Sequence, residues 1–230
     1  MKSYWQNHFD LNSQKYQASL LKQVGKTING REVPEAQVNL IVKNIAKILR
    51  LSADDSVIDL CCGNGLITSR LAPLVKNIVG VDFSAGLIAE AEKHSNSQNI
   101  KYLHSDVLRL KPDFFSGFEK VLMYEAIQHF SENQLTRLTD LLSNLKIRSL
   151  VFWGSIPDKK KLRAFYNDEE KFAFYLQSED KGQPHMGRWW LMDELEQIVS
   201  ARGFNVTFLP QQTSLYTAYY RFDVLLEKCR

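Results

Sequence analysis

Five short apolar runs recur through the middle of this 230-residue chain, at Ser56–Leu60, Asn77–Val81, Ile100–His104, Lys120–Tyr124 and Ser149–Gly154. Each is separated from the next by a stretch long enough for a helix. Parallel neighbours need crossover connections, and helical crossovers cover both faces of a sheet, so this alternation predicts a mainly parallel α/β sheet. The chain ends differently. Phe204–Leu209 and Tyr219–Glu227 are strand-like runs joined only by the polar Gln211-Gln212-Thr213-Ser214, which predicts a closing antiparallel pair. Pro34 opens a periodic segment, with Val38, Ile41, Val42, Ile45, Ile48 and Leu49 on one face of a helix over 34–50. Residues 3–30, polar and aromatic, are read as one or two helices ending near Gly25 or Gly30 and able to cover the fold.

The first apolar run leads into Asp59-Leu60-Cys61-Cys62-Gly63-Asn64-Gly65, and the second ends in Val81-Asp82-Phe83-Ser84. Glycine at 63 and 65 permits positive φ and close approach of a ligand to backbone. A helix over about 66–75 would then turn its unpaired N–H groups and positive dipole end towards that ligand. An acid just past the second strand is placed to accept hydrogen bonds from ribose hydroxyls. Together these features point to a nucleoside-containing cofactor. Ser84 is expected to cap a helix over 85–94 that buries Leu87, Ile88 and Ala91.

The composition sets outer limits. Net charge is +3, from 29 basic against 26 acidic residues, too small and too evenly spread to argue for nucleic acid or a membrane surface as partner. No apolar run approaches the eighteen or so residues of a membrane span, and the opening residues do not read as a leader. Cys61, Cys62 and Cys229 lack metal-ligand or disulfide spacing, which fits a reduced, cytoplasmic protein without a structural metal. Asp158-Lys159-Lys160-Lys161 reads as a solvated loop or helix start. With no Pro/Gly/Ser-rich linker, residues 1–230 are taken as one domain.

The order of these elements and motifs resembles the class I S-adenosylmethionine-dependent methyltransferases over about residues 34–230, most closely between 56 and 130. The resemblance implies a Rossmann-like three-layer α/β sandwich, its seven-stranded sheet mainly parallel with an antiparallel C-terminal strand, preceded by an N-terminal helical cap over 1–33. It also implies S-adenosyl-L-methionine as cofactor, bound through Asp59, Cys61, Gly63, Asn64, Gly65, Asp82, Phe83, Asp106, Val107 and Tyr124. Asp82 would hold the ribose, Phe83 would pack on the adenine, Asp106 and the Val107 backbone would read the base, and Tyr124 would lie beside the methionine part. Cys61 departs from the family pattern, where glycine is commoner. The chain also lacks the Asn/Asp-Pro-Pro-Tyr/Phe tetrapeptide of many base and amide N-methylating members, having Tyr124-Glu125-Ala126-Ile127 there.

Methyl transfer from a sulfonium is an in-line displacement, so the protein supplies positioning and, for a hydroxyl acceptor, a base. His129, five residues past the fourth strand tip, is the first candidate base, because an imidazole with reference pKa about 6.5 suits that task. His185, in the turn-rich Gly182-Gln183-Pro184-His185-Met186-Gly187, is the second. The long connection over 156–190, rich in Phe, Tyr and Trp, is read either as a substrate lid or as a packed helical insertion. Arg221 and Asp223 share a strand face and read as a structural ion pair or as groups orienting a polar acceptor. The N-terminal Tyr4, Trp5 and Tyr16 and the turn over 23–27 are read as folding over the cofactor.

The leading expectation is O-methylation of a small molecule such as a sugar or secondary metabolite. N-methylation of a small amine, an NAD-dependent oxidoreductase and a non-catalytic cofactor-binding protein remain as alternatives.

Overall fold

A computed structural model describes residues 3–95 and 97–230. The first two residues of the cap expected over 1–33 lie outside these. Seven strands form one sheet: β1 Ser56–Leu60, β2 Asn77–Asp82, β3 Ile100–His104, β4 Lys120–Tyr124, β5 Leu150–Pro157, β6 Phe204–Pro210 and β7 Arg221–Lys228, in the order β3-β2-β1-β4-β5-β7-β6. The first five are parallel, and β7 runs antiparallel to both β5 and β6. The strand order reverses beside β1, between β2 and β4. In an open α/β sheet that reversal opens a crevice at the carboxyl ends of the strands.

The helices are α1 Tyr4–Lys15, α2 Leu20–Gln23, α3 Glu35–Ile48, α4 Thr68–Leu71, α5 Ala85–His94, α6 Glu132–Leu142, α7 Leu162–Phe165, α8 Glu169–Asp180 and α9 Met192–Ser200. Alternation along the central strands builds two cores. Val121, Met123, Val151 and Trp153 pack with α6 and α9 on one side of the sheet, whereas Leu122, Leu150 and Phe152 pack with Val38, Ile41 and Ile45 of α3 on the other. Continuously buried strands such as β5 follow from this double covering.

Several local expectations need correcting. The helix after the glycine turn is only the four residues of α4, followed by a 3₁₀ turn at Ala72–Leu74. Pro73 has no N–H to continue the α ladder, so the dipole of this element is slight. A two-residue hairpin, Thr27–Ile28 with Arg31–Glu32, closes the N-terminal segment where only helices were expected. β5 continues to Pro157 across a bulge between Trp153 and Ile156, where Ser155 takes a φ of 62°, so the connection to α9 starts at Asp158. Asp158 caps the 3₁₀ turn Lys159–Lys161, its carboxylate accepting from the Lys160 N–H at 2.9 Å. Tyr219 and Tyr220 precede β7 rather than forming part of it.

Candidate active site

At the carboxyl ends of β1, β2 and β4 lies a cavity of about 770 Å³, of a size that suits a small ligand or cofactor. Its floor is the glycine turn. Gly63 and Gly65 have φ of 58° and 72°, and Cys61 shares the left-handed region at 59°, which explains why glycine is the easier residue there. Asp82, at the tip of β2, accepts from the Gly63 N–H at 2.9 Å and the Ser84 N–H at 2.8 Å, tying the turn to the neighbouring strand. Burial raises its pKa to about 6, against the lowering effect of those two amides. Ser84 caps α5, its hydroxyl accepting from the Leu87 N–H at 3.2 Å.

Cys61, Gly63, Asn64, Asp82, Phe83, Asp106, Val107 and Tyr124 all line the cavity; Asp59 and Gly65 do not. Asp59 points away, accepting from Thr68 Oγ1 at 2.6 Å, and burial raises its pKa to about 7. It braces the start of α4. Gly65 is small for an internal reason, since a Cβ there would collide with the Tyr102 hydroxyl. Asn64 lines the cavity, yet its amide donates to the Leu20 carbonyl and to Gln23 Oε1, both at 2.8 Å, and so anchors α2. Asp106 is exposed and caps the turn Val107–Arg109, accepting from the Leu108 N–H at 2.9 Å.

The helix α1 lies across this cavity, and Trp5, Gln6 and Phe9 line it. Gln6 donates to the Phe83 carbonyl at 3.1 Å, Asp10 accepts from Ser84 Oγ at 2.6 Å, and Gly86 leaves room for Ser13, whose hydroxyl a Cβ would strike. Trp5 covers His129, with ring centroids 4.0 Å apart, and Phe9 meets the same imidazole edge-on at 5.5 Å. His129 Nδ1 is buried without a protein partner, and burial lowers the imidazole's pKa to about 3, so His129 is neutral at physiological pH.

His185 is placed elsewhere. It sits at the edge of an aromatic cluster around Tyr166, Trp189 and Tyr220, with Nδ1 3.1 Å from the Tyr166 hydroxyl, and it does not line the cavity. Nor do Arg221 and Asp223 pair with each other. Both grip the bulge at Ser155, Arg221 donating to its carbonyl and Asp223 Oδ1 accepting from its N–H at 2.7 Å.

Glu125 is the residue whose importance sequence reading missed. It follows the β4 tip with a φ of 53°, is half-buried at the cavity wall, and forms an ion pair with Lys26 from the N-terminal segment. Its partner lies 99 positions away, and an acid after a strand gives no sign of such a contact.

Comparison with known proteins now bears on this geometry. A family model described as a methyltransferase domain matches residues 57–146, from β1 through α6. Over 96% of this chain and 94% of the other, the fold superposes on magnesium protoporphyrin IX methyltransferase of Synechocystis PCC 6803, solved with bound S-adenosylhomocysteine, with a TM-score of 0.64 at 16% identity. Residues 57–146 thus match a methyltransferase domain, and the chain shares its fold with S-adenosylmethionine-dependent methyltransferases. Its cofactor is therefore S-adenosylmethionine, and the nicotinamide alternative falls. Among curated relatives, the chain is 33% identical over 89 residues to the 23S rRNA (uracil(1939)-C(5))-methyltransferase of Xanthomonas axonopodis pv. citri, a match spanning 36% of this chain and only 20% of that relative. It is 27% identical over 127 residues to the ubiquinone biosynthesis O-methyltransferase of Rickettsia bellii, spanning 54% and 52%. Among the described residues, no helix is long and apolar enough to cross a membrane.

Proposed function

We propose that this methyltransferase acts on a small polar molecule and that the accepting atom is oxygen. The observation that carries the reading is His129 on the wall of a cavity roofed by α1, its Nδ1 buried without a protein partner. Bound S-adenosylmethionine supplies a methyl group on a sulfonium sulfur, an electrophile that needs no further activation. Asp82 has the acceptor chemistry for the ribose hydroxyls, Phe83 offers a face for the adenine, and Asp106 with the Val107 N–H, both on the cavity wall, would meet the base. Tyr124 would flank the methionine part. His129, whose Nδ1 has no protein partner, would take the hydroxyl proton as the oxygen attacks. A roofed cavity and a net charge of +3 favour a small acceptor over a polynucleotide, which requires an extended basic surface.

A second reading, methylation of a small amine, draws on the low basicity of the same imidazole. An amine can attack first and lose its proton afterwards.

A mass-spectrometric screen for a gain of about 14 Da, the mass of a transferred methylene unit, tests both. Sugars, phenols, carboxylates, amines and total RNA would be offered with S-adenosylmethionine. Gain on a hydroxyl compound, slowed at least tenfold by His129→Ala with cofactor affinity unchanged, is the expected result. Gain on amines alone moves the assignment to the second reading, and gain on RNA alone overturns both.

A further inference from the structure

His129 Nδ1 is buried without a partner, so an acceptor hydroxyl reaches it only after a neighbouring group moves aside. Among the described residues, two aromatic side chains lie against the imidazole, Trp5 with its ring centroid at 4.0 Å and Phe9 at 5.5 Å, and both belong to α1. That helix is lightly held. Ser13 is its one buried residue, Trp5 and Phe9 are half-buried, and it is fastened by Gln6, which donates to the Phe83 carbonyl, and by Asp10, which accepts from the Ser84 hydroxyl. An element with so few buried apolar groups opens at low free-energy cost.

The surroundings of the indole are apolar rather than ionic. Phe9, Phe83, Leu108 and Phe130 line the cavity with Trp5, and Phe9 meets Phe83 edge-on at 6.4 Å. The carboxylates of the cavity are already engaged: Glu125 with Lys26, Asp82 with the Gly63 and Ser84 amides, and Asp106 with the Leu108 N–H and, at 3.9 Å, with Arg109. A group that replaces Trp5 on the imidazole must fill a slot one ring thick and bring an apolar face. A puckered replacement would pack poorly there, and a charged one would lie desolvated without a partner.

We propose that Trp5 is a plug standing where the acceptor binds, and that the acceptor is an aromatic ring carrying the hydroxyl to be methylated. This rests on the oxygen-acceptor reading above. When α1 withdraws Trp5, the acceptor's ring takes its place against His129 and brings the hydroxyl to the imidazole. The oxygen then bonds the methyl carbon, the carbon–sulfur bond breaks with its electron pair left on sulfur, and the hydroxyl proton passes to His129. Because the plugged state must open first, acceptor affinity is reduced by the fraction of molecules that are open.

Calorimetric titration of the protein saturated with S-adenosylhomocysteine tests both parts, with naphthol and its saturated counterpart decahydronaphthol as probes. The two share one skeleton, flat in the first and puckered in the second. Wild-type protein should bind naphthol at least tenfold more tightly than decahydronaphthol. Trp5→Ala removes the plug and should bind naphthol at least threefold more tightly than wild type does, and Trp5→Leu, which keeps an apolar contact for the helix, should show a smaller gain of the same sign. Folding of both variants is checked by thermal melting. Equal affinity of wild type for the two probes, or binding of neither, overturns the ring assignment. Naphthol binding that is weaker or unchanged in both variants overturns the plug, since Trp5 would then stack on the acceptor or stand apart from it. Failure of the oxygen reading shows separately, as methyl gain confined to amines in the screen above while the naphthol preference and its dependence on Trp5 stand.

Discussion

The two sides of the cavity are built in opposite ways. The floor is local: β1, the glycine turn and the tip of β2 are sequence neighbours, and their link from Gly63 to Asp82 spans only 19 positions. The roof and the far wall are assembled from the two ends of a long stretch of chain, with Trp5 of α1 over His129 and Lys26 against Glu125. A floor of backbone amides and a buried carboxylate suits a cofactor shared by many enzymes. A wall recruited from a separate segment can change without disturbing that floor.

The sharpest way to break this contrast is at Asp82. Asp82→Asn should weaken S-adenosylhomocysteine binding roughly 10–100-fold by calorimetry, the worth of a hydrogen-bonded charge of about 1.5–3 kcal/mol. In wild type the affinity should fall as pH drops below about 6, where Asp82 takes up a proton and loses acceptor capacity. Folding stability responds with the opposite sign. Because the folded pKa lies above the unfolded value of 3.8, Asp82 favours the folded free protein most at low pH, and that contribution is lost as pH rises towards 6. An Asn variant that binds like wild type at every pH would show that the floor does not depend on this carboxylate.

The roof is tested next, at Trp5. Trp5→Ala uncovers His129, so its pKa should climb by at least one unit from about 3 towards the ordinary imidazole value, as followed by NMR titration of the ring protons. An imidazole still titrating near 3 would mean that the sheet, not α1, keeps it dry. The smallest effect is expected at Cys61. Cys61→Gly relieves a left-handed backbone worth about 1–2 kcal/mol but frees the unfolded chain by about 0.4–1 kcal/mol, so stability should rise by at most about 1.6 kcal/mol. Melting experiments would then show a rise of about 6 °C or less. A clear fall instead would mean that packing of the Cys61 side chain matters more than its φ.

Legibility in the sequence followed the same division. The bounds of β1, β3 and β4 and of α5 could be read from apolar runs and the Ser84 cap, because a strand buried on both faces and a capped amphipathic helix announce themselves within a dozen residues. Asp82 was legible through its spacing from the glycine turn. Asp59 and Gly65 were read as touching the ligand, yet Asp59 faces Thr68 and Gly65 faces Tyr102, because one motif serves both packing and binding. His129 and His185 looked like comparable candidates. Only the path of the chain from β5 into the aromatic cluster removes His185 from the cavity wall.

The sequence by itself determined the alternating α/β architecture, the antiparallel close at β7 and the glycine-turn floor beside Asp82, since each depends on periodicity or spacing within a short window. Tertiary structure alone decided that Trp5 would roof His129, that Lys26 would meet Glu125, and that Arg221 and Asp223 would hold Ser155 rather than each other. Those contacts join segments far apart in the chain, and their partners follow from how whole elements dock, which no local pattern of residues encodes.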